Sequence, residues 1–105
     1  MKVVLGSDSA GDPGRTMGWH AIWELDALVK AGMTPSEVIV ASTRLAAETL
    51  KIDQLGAVTP GKSADFVVLN ANPLDNIANT RKIYKVYLRG AEVDRPAMRR
   101  EWTGQ

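Results

Sequence analysis

The sequence opens on Met1-Lys2-Val3-Val4-Leu5-Gly6-Ser7-Asp8, a short apolar and β-branched run that breaks at glycine and ends in a carboxylate. Such a run reads as a buried strand entering a loop, here the loop that carries Gly11, Asp12, Pro13 and Gly14. A carboxylate just past the C-terminal end of a buried parallel strand lies where (β/α)₈ enzymes place their catalytic groups, and a complete barrel of that kind takes roughly 250 residues. At 105 residues the chain supplies one domain's worth of material and one modest core, so it is expected to be the closing part of such an enzyme.

Composition narrows the partner classes. A formal net charge of +1 provides no long-range field that would draw in nucleic acid or an anionic membrane, so neither is expected as a partner. There is no cysteine, which excludes a disulfide framework and a thiolate metal site and leaves His, Asp, Glu or a modified Lys as ligands for any metal. The sequence contains no apolar stretch of about eighteen residues and no signal-peptide pattern at its start, and a soluble, cytoplasmic protein is expected.

Along the chain, Trp19, Ile22, Leu25, Leu28 and Val29 recur at helical spacing and predict a helix from about Thr16 to Ala31, with Gly32 as its left-handed cap. Thr34-Pro35-Ser36-Glu37 is a capping box, and Val38, Ile39, Ser42, Leu45, Ala46, Thr49 and Leu50 trace one face of the second helix. The periodicity changes between Lys51 and Gly56. Thr59-Pro60-Gly61-Lys62 fits a type II turn, Asp65 to Leu69 and Ile83 to Leu88 read as strands, and Asn70 to Asn76 is a loop of residues that bond their own backbone. Arg89-Gly90 turns the chain into Ala91-Glu92-Val93, and residues 95–105 are expected as a helical or frayed tail.

Few residues could carry chemistry. Asp8 is the strongest candidate, the other reading being a cap on the backbone N–H groups of its loop. His20 is the one histidine, and a lone histidine does not make a zinc site. Glu24 lies four residues on, so the two could hold a ligand group or bond each other. Ser9, Arg15 and His20 are the candidates for lining a substrate pocket; Arg15 could meet a carboxylate with its planar fork or stay solvated. The glycine loop lacks the spacing of a P-loop or a dinucleotide site. Trp19, Trp23 and Trp102 are expected as core or interface anchors.

The order of the pieces is more specific than any one of them. A strand ending Gly-Ser-Asp-Ser, the run Leu-Val-Lys-Ala-Gly-Met-Thr-Pro-Ser-Glu, then Ala-Ser-Thr-Arg-Leu-Ala-Ala-Glu-Thr-Leu and Leu-Gly-Ala-Val-Thr-Pro-Gly-Lys-Ser-Ala-Asp-Phe-Val-Val-Leu resemble the C-terminal portion of metal-dependent amidohydrolases. The likeness runs from about Lys2 to Asp94 and looks closest to the imidazolonepropionase-like and Xaa-Pro-dipeptidase-like branch. It implies an α/β fragment: residues 1–55 as the last strand and helices of a (β/α)₈ amidohydrolase barrel, 56–94 as the C-terminal half of a small β-sandwich, and 95–105 as a tail.

By the same resemblance, Asp8 binds the active-site metal, a divalent ion such as zinc, and carries a proton from the attacking water to the leaving nitrogen. The family's His-x-His pair, its bridging Lys or Glu and its further histidines have no counterpart here, and a catalytic zinc needs about three protein ligands. The chain alone is therefore expected to bind no metal and to be inactive. Open strand edges should drive self-association or accept a separate N-terminal barrel chain, which would make a split hydrolase. The remaining expectation is a non-catalytic oligomeric binding or structural module.

Overall fold

The computed structural model describes residues 2–6 and 19–104. Helix α1 (His20–Lys30) ends at Ala31, and Gly32 follows with φ of +114°. The Gly32 N–H donates to the Val29 carbonyl at 3.0 Å and the Met33 N–H to Leu28 at 3.1 Å, the paired bonds of a Schellman motif. Only glycine adopts this backbone without a steric penalty, which is why the helix stops there.

Helix α2 (Pro35–Ser42) begins with the capping box read from its sequence. The Glu37 N–H donates to Thr34 Oγ1 at 3.2 Å, and the Thr34 N–H donates to Glu37 Oε1 at 3.1 Å. The single long helix expected onward to Leu50 is interrupted: α3 (Arg44–Thr49) starts after a break at Thr43, whose φ and ψ are −123° and −85°. Two hydroxyls account for the break. Ser42 Oγ donates to the carbonyls of Val38 and Ile39, and Thr43 Oγ1 donates to Ile39 at 2.7 Å. With the Ile39 carbonyl taken, the Thr43 N–H turns to Val40 at 3.3 Å and the regular ladder is lost.

The turn at Thr59–Lys62 closes with a Lys62 N–H to Thr59 carbonyl bond of 3.2 Å and puts Gly61 at φ +88°, as a type II turn requires. Strand β1 (Phe66–Leu69) pairs antiparallel with β2 (Ile83–Leu88), which pairs antiparallel with β3 (Ala91–Glu92) in a sheet of order β1-β2-β3. Phe66 lies opposite Tyr87 with the rings stacked at 4.7 Å, and the ladder shifts register between Val68 and Leu69. The β2–β3 hairpin turns on two residues of positive φ, Arg89 at 50° and Gly90 at 82°, the type I′ geometry that matches strand twist. Asp65 Oδ1 accepts from the Arg89 N–H at 2.7 Å and ties this turn to the foot of β1.

The loop after β1 is built from asparagines. Asn72 Oδ1 accepts from the Leu74 N–H and Asn76 Oδ1 from the Ala78 N–H, both at 2.9 Å. A 3₁₀ helix follows at Ile77–Arg81, an element the sequence pattern did not reveal. The tail forms helix α4 (Arg95–Thr103), capped by Asp94 and closed by Gly104 at φ 71°.

The buried apolar side chains among the described residues are Val38 and Ala41 of α2, Ala47 of α3 and Ile77 of the 3₁₀ helix, so the best-covered positions lie on helices and not on the sheet. Two expectations are corrected here. Lys2 to Gly6 lies in no regular strand and Val4 is 38% exposed, because no strand pairs with it among the described residues; its recorded tie is the Leu5 N–H to the Ala41 carbonyl at 3.3 Å. Nor are the tryptophans core anchors: Trp19, Trp23 and Trp102 are all exposed, at 56%, 49% and 75%. No described helix is long and apolar enough to cross a membrane.

Candidate functional site

Of the four residues singled out from the sequence, Asp8, Ser9 and Arg15 lie outside the described residues, and His20 opens α1. The last described residue before Asp8 is Gly6, held near α2 through the Leu5 to Ala41 bond. Ala41 is fully buried, so this bond fixes the end of the opening segment to the best-packed helix of the chain.

The His20 ring lies 5.6 Å from that of Trp23, tilted by 43°, and its Nδ1 is shut off from solvent without a hydrogen-bond partner. The sequence places Glu24 one turn on, yet no hydrogen bond joins the two side chains among the described residues. Trp23, rather than Glu24, is the neighbour that His20 takes, and an aromatic ring supplies contact but no acceptor in the ring plane.

A cleft of about 820 Å³ opens between the helices and the sheet, lined by Ile39, Ala46, Leu50, Phe66, Val67 and Ile83 among others. Its polar groups make local hydrogen bonds. Ser42 and Thr43 donate to helix carbonyls, Thr80 Oγ1 donates to the Ile77 carbonyl at 2.7 Å, and Asp65 accepts from the Arg89 N–H. The cleft wall is largely apolar, and His20 is not among its lining residues.

Among the described residues, the two shifted titrations lie on capping and hairpin residues. The Thr34 backbone N–H and hydroxyl hold the Glu37 carboxyl below the usual range, and the Glu92 carboxylate, 3.6 Å from Lys85 Nζ, raises the lysine. Both are structural pairs on exposed surface.

One long-range ion pair escaped the sequence reading. Arg81 Nη2 meets Asp26 Oδ2 and joins the 3₁₀ helix to α1 across 55 residues of chain. Neither residue stands in a motif, so no local signal could have revealed it.

Among the described residues no group of three or more His, Cys, Asp or Glu side chains is placed to hold a metal ion. The described donors do not fit a metal centre by themselves, since a catalytic site needs about three protein ligands.

A structure of phenylurea hydrolase B superimposes with a TM-score of 0.69 at 44% identity, over 72% of this chain and 17% of the other. A Xaa-Pro dipeptidase structure gives a TM-score of 0.67 at 28% identity, over 70% of this chain and 18% of the other. An adenine deaminase of Desulfitobacterium hafniense (strain Y51) is 32% identical over 76 residues, which is 72% of this chain and 12% of that protein. The chain thus spans less than a fifth of the length of each of these three relatives. The Amidohydrolase family model matches residues 1–93, taking in the opening segment, α1 to α3, the 3₁₀ helix and β1 to β3 but not α4, and the chain belongs to the amidohydrolase family.

Proposed function

We propose that this chain is the C-terminal segment of a metal-dependent hydrolase of carbon–nitrogen bonds in amide- or peptide-like substrates. In this reading residues 1–55 close a (β/α)₈ barrel, 56–94 form the C-terminal strands of a small β-sandwich, and 95–105 are a tail. The observation that carries it is the family match over residues 1–93, which takes in both the helical half and the strands. The relatives named for phenylurea, Xaa-Pro dipeptides and adenine deamination all point to carbon–nitrogen chemistry.

Asp8 is the carboxylate that this chain contributes to the metal centre, with Ser9, Arg15 and His20 as candidates for the substrate side. The remaining ligands come from outside these residues, because the sequence holds a single histidine and no cysteine.

The test is metal analysis and assay of the purified chain with a phenylurea and a Xaa-Pro dipeptide. By itself it should carry no stoichiometric zinc and turn over neither. Produced together with a chain bearing the histidine-carrying barrel strands, it should gain hydrolysis that Asp8→Ala abolishes. A full metal equivalent on the isolated chain, lost in Asp8→Ala, would overturn the shared site. So would activity of the pair that survives the substitution.

A further inference from the structure

We draw no further inference here: the strongest candidate, the largely apolar cleft between the helices and the sheet, belongs to a chain spanning less than a fifth of the length of the relatives named above, and nothing in the structure shows what covers it.

Discussion

The backbone of Gly56 lies directly against Ala47, so close that a β-carbon on Gly56 would stand 2.7 Å from the Ala47 methyl. The same atom would meet the Thr43 carbonyl at 3.0 Å and Arg44 Cα at 3.1 Å. Gly56 therefore seats the chain leaving the helical half onto the break between α2 and α3. Its φ of +97° is also one that side-chain-bearing residues rarely adopt.

Gly56→Ala should accordingly lose stability by about 2–4 kcal/mol, from overpacking added to left-handed strain. Gly61→Ala is the control: φ is +88° but nothing lies within 4 Å, so the backbone cost stands alone at about 1–2 kcal/mol. Urea unfolding at one protein concentration should show lower midpoints with an unchanged slope, further for Gly56 than for Gly61. Equal losses at the two sites would show that the contact with Ala47 carries no cost.

The capping box predicts a stability loss and a pH dependence. Thr34→Ala removes the acceptor of the Glu37 N–H and should cost about 0.5–2 kcal/mol. The Glu37 carboxyl is held below its ordinary value, chiefly by the Thr34 backbone N–H. Its contribution is therefore complete above the carboxylate's unfolded pKa and fades as pH falls through the lower folded value. Glu37→Gln keeps an acceptor and should flatten that acid limb. An acid limb of unchanged slope in the variant would remove Glu37 as its source.

The Asp26–Arg81 pair holds α1 to the 3₁₀ helix, with both side chains partly open to solvent. A double-mutant cycle with Asp26→Asn and Arg81→Gln should give a coupling of about 0.2–1 kcal/mol, weakened by salt. A coupling near zero at low ionic strength would mean that packing around Ile77 alone joins these elements.

Phe66 and Tyr87 stack across the β1–β2 ladder at 4.7 Å. A cycle through Phe66→Leu and Tyr87→Leu should recover about 0.5–1.5 kcal/mol of pair energy beyond the area each ring buries. Additive single losses would assign both rings to burial alone.

Several parts of the fold could be read directly from neighbouring residues. The Thr34-to-Glu37 box, the Gly32 stop, the Gly61 and Arg89-Gly90 turns and the Asn72 and Asn76 bonds each close within a few positions. In each case the chemistry of a hydroxyl, an amide or an absent β-carbon selects the local backbone. The family likeness was legible for a related reason, since an ordered series of such local pieces is more specific than any one of them. Asp8 was singled out by a strand pattern followed by a carboxylate, and it lies outside the described residues.

The tertiary structure decided what local patterns leave open. Ser42 and Thr43 break a helix whose apolar spacing continues to Leu50, because their hydroxyls compete for carbonyls that the spacing does not register. Asp26 finds Arg81, and Gly56 finds Ala47, through folding that brings distant segments together. Lys2 to Leu5 has the composition of a strand, but a strand is a pairing, and none of the described segments pairs with it. By itself the sequence determined where the chain turns, caps and alternates, since those choices are settled by short-range sterics and hydrogen bonds. Which surfaces are covered, and so whether the opening segment and β1 act as strands within a larger sheet, depends on partners in space that no local pattern encodes.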